Sequence, residues 1–105
     1  KNVITVDCIT RDIGPIKHAK SRGIDVIVTD HHAVPDNIPE EVIAIVNPKR
    51  KDSIYPYHGL AGAGVAFKLL HGILIGMKSQ NINETLIHYV DFASLGTVAD
   101  CMPIT

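Results

Sequence analysis

Three short runs of β-branched and apolar residues mark the first half of the chain. They are Val3-Ile4-Thr5-Val6, Asp25-Val26-Ile27-Val28-Thr29 and Val42-Ile43-Ala44-Ile45-Val46. None alternates strictly between apolar and polar positions. Continuous runs of this length fit strands covered on both faces, the pattern of parallel sheets. Between the first two runs, Gly14-Pro15 opens a helical stretch from Ile16 to Arg22. Its cations fall late, where they suit a helix C-terminus, and Gly23 closes it. Strand, helix and strand in this order make a βαβ unit. Its crossover is right-handed and its strands are parallel. Pro35, Asn37 and Pro39 mark a loop before the third strand, which Asn47-Pro48 closes. From Ala61 the period changes. Ala66, Leu69, Leu70, Ile73, Leu74 and Met77 follow helical spacing and predict one buried face. Asn83 is a cap for a last helix with Leu86, Ile87, Val90 and Ala93 inward, ended by Gly96-Thr97-Val98-Ala99-Asp100. The expected architecture is α/β and three-layered, with a mainly parallel, Rossmann-like sheet and flanking helices.

Composition narrows the class. The 105 residues are 46% hydrophobic and 20% charged, which excludes intrinsic disorder. The formal net charge is −1, so no broad basic field holds nucleic acid by charge alone. The most apolar stretch, Val65 to Met77, is interrupted by Lys68 and His71 and falls short of the ~20 residues of a membrane span. Cys8 and Cys101 make no disulfide framework and no Cys-x-x-Cys. They read as small buried thiols of a cytoplasmic protein. The chain opens on strand-like sequence without Met or signal peptide and stops just after an apolar stretch, so it reads as a segment of a longer protein.

In an open parallel sheet, ligands bind outside the carboxyl ends of the strands. Asp7 ends the first strand, and Asp30-His31-His32 ends the second. If the two strands are neighbours, ~4.8 Å apart, a carboxylate and imidazoles converge on one crevice. Such a mixed donor set suits a divalent ion such as manganese better than an all-oxygen magnesium site. At a phosphodiester the ion supplies a hydroxide nucleophile and polarises the P–O bond, so no Ser or Cys nucleophile is required. Pattern alone also fits a second reading: a polar turn after a strand, with Asp7 and Asp30 as turn formers.

Val28-Thr29-Asp30-His31-His32 resembles the signature of the DHH phosphoesterase superfamily. Val6-Asp7-Cys8 resembles the motif before it, and Gly96-Thr97-Val98-Ala99-Asp100 the metal-binding motif after it. Val46-Asn47-Pro48-Lys49-Arg50, Tyr55-Pro56-Tyr57 and Gly59 to Lys68 extend the likeness, in order, over nearly the whole chain. They point to the branch of single-stranded-DNA exonucleases. The resemblance implies a manganese- or magnesium-dependent enzyme, with two ions in the complete protein, that releases 5′-mononucleotides from single-stranded DNA in repair and recombination. It implies Asp7 as a carboxylate able to bridge two metals, and His31 and Asp100 as ligands. It implies His32 beside the substrate phosphate and Asp30 behind the histidines, orienting an imidazole. Only the resemblance puts Asp100 beside Asp7. A single-stranded-DNA-binding protein or a helicase is the expected protein partner, and the cytoplasm the expected location, with no membrane association.

Two departures stand out. Ile9 follows Cys8 where the family usually has Gly, a residue with freer backbone angles. The family's first motif, with two further aspartates, and its C-terminal substrate-binding domain are absent from residues 1–105. The chain therefore reads as a partial, incomplete DHH domain, inactive alone. Other residues carry weaker expectations. Arg50, within Lys49-Arg50-Lys51, is a candidate for contact with a DNA backbone, against a plain solvated run. Tyr55 and Tyr57 suit base stacking or packing on their own domain. Gly59, Gly62 and Gly64 suit a tight turn with close helix packing better than a dinucleotide fingerprint. His18, His58, His71 and His88 are scattered. Two other readings remain at this point: a nano-RNA or cyclic-dinucleotide phosphodiesterase or a pyrophosphatase on the same residues, and a non-catalytic binding module.

Overall fold

The computed structural model describes residues 1–8 and 13–104; Ile9 lies outside the described residues. Three strands form a parallel sheet in the order β1 (Asn2–Val6), β2 (Asp25–Thr29), β3 (Val42–Val46). The helices are α1 (Ile13–Ser21), α2 (Gly62–Gly76), α3 (Ile82–Ile87) and α4 (Val90–Ala99). The expected α/β architecture is present: a parallel sheet flanked by helices. Register pairs Val6 with Thr29 and Thr29 with Val46, so all three strands end at one rim. The ladder runs one residue further on each side. The Asp7 N–H donates to the Thr29 carbonyl and the Asp30 N–H to the Val46 carbonyl.

Ile16 of α1 closes over Val26, Val28 and Ile45, with Ala19 and Val42 at the margin. Val26 and Val28 share a face because side chains alternate along a strand. The first strand departs from the buried pattern expected of it. Val3, Ile4 and Val6 are exposed because β1 lies at the margin of the described sheet, where no helix covers its faces as α1 covers Val26, Val28 and Ile45. The radius of gyration, 14.5 Å, exceeds the ~13 Å of a close-packed chain of this length, which fits apolar faces left uncovered.

Three helices end in the same way. After α1, Gly23 (φ 68°) takes the left-handed turn, with Gly23 and Ile24 donating back to Lys20 and Ala19. Lys78 does so after α2 and Cys101 after α4, both with positive φ. The crossed bonds of Cys101 to Val98 and Met102 to Thr97 form a Schellman motif, which leaves Asp100 as the cap residue of α4.

The structure corrects three further expectations. The last helix is two helices, divided at His88-Tyr89 by the tight bond from Tyr89 N–H to the Leu86 carbonyl. The helix does end within the stretch Gly96 to Asp100, at Ala99 with Asp100 as cap, and Gly96 itself lies inside α4. A Cβ there would meet Ala63 Cβ at 2.5 Å, so the glycine permits close contact between α2 and α4. Ile73, Met77, Ile87 and Val90 are exposed rather than inward, because only the N-terminal part of α2 is buried and neither α3 nor α4 buries a residue. Cys8 and Cys101 are exposed thiols, not buried ones. Among the described residues no helix is long and apolar enough to cross a membrane.

Candidate metal centre

Asp7, the first residue past β1, has a left-handed backbone (φ 58°), an uncommon conformation that Asp tolerates better than most residues. It lies against the start of α2. A Cβ on Gly62 would come within 2.6 Å of Asp7 Oδ1, so this glycine makes room for the carboxylate. The first residues of α2 carry no side-chain cap, and a carboxylate suits that positive helix end. Asp100 is opposite in character, at the negative end of α4, where a carboxylate is disfavoured unless a cation stands beside it. The Gly96–Ala63 approach carries α4 against α2. Asp7, Asp100, Gly62 and Ala63 consequently line one cleft of about 280 Å³.

Asp30 and His31 lie just past β2, and both are buried. His31 Nε2 lies 3.1 Å from Asp7 Oδ1 and 3.1 Å from Asp100 Oδ2. Neither ring nitrogen of His31 makes a hydrogen bond among the described residues. A buried imidazole without a hydrogen bond, flanked by two carboxylate oxygens, is a poor arrangement unless something joins them. Donor atoms bound ~2.1–2.3 Å from one cation stand ~3 Å apart when adjacent around it, which matches these separations. The residues present therefore fit a divalent ion held by Asp7, His31 and Asp100. Ligand atoms of Asp7, Asp30, His31 and His32 also all lie within 4.8 Å of one another.

Asp30 is occupied otherwise. Its Oδ1 accepts the N–H of His31 (2.8 Å) and of His32 (3.3 Å) and lies 2.6 Å from His32 Nδ1. A carboxylate oxygen accepts, so Nδ1 is the donor in this contact, and Nε2 makes no hydrogen bond among the described residues. Asp30 thus holds the turn and the His32 ring together, while His32 itself is partly exposed.

Arg50 is not among the residues that line the cleft, and its side chain is already engaged. Its guanidinium donates to both oxygens of Asp52 (2.8 and 2.6 Å) and to the Ile45 carbonyl (2.9 Å). The guanidinium hydrogen bond holds the Asp52 carboxyl below its ordinary range, and Asp52 raises Arg50 in turn. Tyr57 packs on its own domain, its hydroxyl donating to the Pro103 carbonyl. His18, His58 and His88 are exposed. Two further residues shape this rim. Gly62 suits the close helix packing that the sequence predicts, and its packing partner is Asp7. Asn47 was read as closing a strand, although its place at the same rim as Asp30 was a usable signal.

A profile of the DHH family, N-terminal domain, matches residues 1–97. The chain is 42% identical over 102 residues to the single-stranded-DNA-specific exonuclease RecJ of Bacillus subtilis, covering 97% of this chain and 12% of that protein. It is 38% identical over 109 residues to RecJ of Escherichia coli (97% and 19%) and 31% identical over 106 residues to RecJ of Thermus thermophilus (96% and 14%). The chain therefore spans less than a fifth of the length of these relatives.

Proposed function

The chain belongs to the DHH family, and from that premise we propose that it supplies the metal-binding core of a phosphodiesterase that removes mononucleotides from the 5′ end of single-stranded DNA. The observation that carries this reading is the placing of Asp7, His31 and Asp100 around one point, from three separate elements. In the proposal these three hold a manganese or magnesium ion, which when bound supplies an activated water and a polarised phosphoryl oxygen. Asp7, the more exposed carboxylate, is the candidate bridge to a second ion. His32, anchored through Nδ1, donates from Nε2 to the phosphate when the ring carries both protons, and so offsets charge as the bond breaks. Asp30 positions both histidines. Arg50, engaged by Asp52, is a clasp of its own loop in this reading rather than a DNA contact.

The relatives named for single-stranded DNA support the substrate class. Work in DNA repair and recombination, in the cytoplasm and beside a single-stranded-DNA-binding protein or a helicase, extends the same proposal. The test is digestion of a 5′-labelled single-stranded oligonucleotide by the full-length protein with Mn2+. Mononucleotides released in order from the 5′ end, and lost in Asp7→Asn, are the expected result. Cleavage of dinucleotides alone, with longer strands untouched, would overturn the substrate assignment.

A further inference from the structure

We propose that Asn47 is a positioning residue for His32. The inference rests on the phosphate role given to His32 above. Asn47 follows β3 and is only 5% exposed, and both ends of its amide are used. Nδ2 donates to the His32 carbonyl (2.9 Å), and Oδ1 accepts the Lys49 N–H (2.8 Å). The first bond matters because of where it falls. The β2–β3 ladder ends with the Asp30 N–H on the Val46 carbonyl, and beyond it the chain leaves the sheet. Asp30 then secures the N–H side of the turn, and Asn47 secures the carbonyl of His32. His32 is thereby held at its N–H, its carbonyl and its Nδ1, from two different strand ends. With those points fixed, Nε2 keeps one direction. A catalytic group misplaced by ~1 Å loses about 100-fold in rate.

The second bond offers a plainer role. An Asn that accepts the N–H two residues on is a common turn former. The two roles separate by substitution. Asn47→Asp keeps Oδ1 for Lys49 but sets an acceptor against the His32 carbonyl. The full-length protein and the variants Asn47→Asp and His32→Gln are compared for kcat and KM on single-stranded DNA, and for Mn2+ affinity by titration. Expected for Asn47→Asp is a kcat lower by about 10- to 100-fold, with KM and Mn2+ affinity within about threefold of the parent. Parental kcat in Asn47→Asp, with kcat lost in His32→Gln, overturns the inference alone. Parental kcat in His32→Gln overturns the phosphate role beneath it. Mn2+ affinity lost in step with kcat in Asn47→Asp also overturns the inference, since the whole rim has then moved. Should Asn47→Asp not fold, Asn47→Ala is combined with His32→Gln. A double variant no slower than His32→Gln supports action through His32, and additive losses refute it.

Discussion

Gly62→Ala offers a sharp test of how the carboxylate of Asp7 is held. The added Cβ would lie 2.6 Å from Oδ1, 2.7 Å from Cγ and 2.8 Å from Cβ of Asp7. Non-bonded carbons settle at ~3.5–4.0 Å, so each contact is short by about 0.7 Å or more. Rotation about χ1 relieves the first two but not the third, because Cβ does not move in that rotation. The junction between β1 and α2 must open instead, and Asp7 Oδ1 leaves its position 3.1 Å from His31 Nε2. Disturbing how a ligand is oriented weakens metal affinity by about 10- to 100-fold. The fold itself is also strained. Overpacking costs about 1–3 kcal/mol, offset by up to ~1 kcal/mol from the better helix former. The expected signature is a Mn2+ affinity at least tenfold weaker, read by electron paramagnetic resonance of the free ion, beside a stability loss of up to about 3 kcal/mol in metal-free denaturation. Gly76→Ala, on the same helix with open space around it, is the control and leaves both unchanged or slightly improved. Parental Mn2+ affinity in Gly62→Ala would refute the apposition of Gly62 and Asp7.

Other outcomes follow from the same geometry. Asp7→Asn, His31→Ala and Asp100→Asn should each weaken Mn2+ binding and lower kcat by at least ~100-fold in the full-length protein, measured by titration and oligonucleotide digestion. Gly96→Ala should destabilise by about 1–3 kcal/mol in chemical denaturation, because its Cβ meets Ala63 Cβ at 2.5 Å; adding Ala63→Gly should restore most of the loss. Gly23→Ala should cost about 1–2 kcal/mol through its positive φ alone and leave Mn2+ affinity at the parental value.

The strands were legible because each is a continuous β-branched run, and strand order then put Asp7 and Asp30 at one rim without further information. The place of Asp100 was not legible from periodicity. It depends on Gly96 lying inside a helix and on Cys101 adopting a left-handed cap, and a glycine near an apolar run reads more naturally as a stop. The inward face assigned to Ile87 and Val90 failed for a related reason. Helical spacing identifies a stripe of apolar residues but not whether a neighbour covers it. Asn47 escaped notice because an Asn before Pro is a strong turn signal, and that signal says nothing of what the amide reaches across to hold.

The outer margin of β1 has a practical consequence. It is short and parallel, and Val3, Ile4 and Val6 stand uncovered on a margin that pairs with no further strand among the described residues, with Lys1 at its start to discourage approach. Such a rail is a template for stray strands. The 105-residue polypeptide handled alone should therefore scatter light increasingly with concentration, and a charged residue in place of Ile4 should keep it monodisperse.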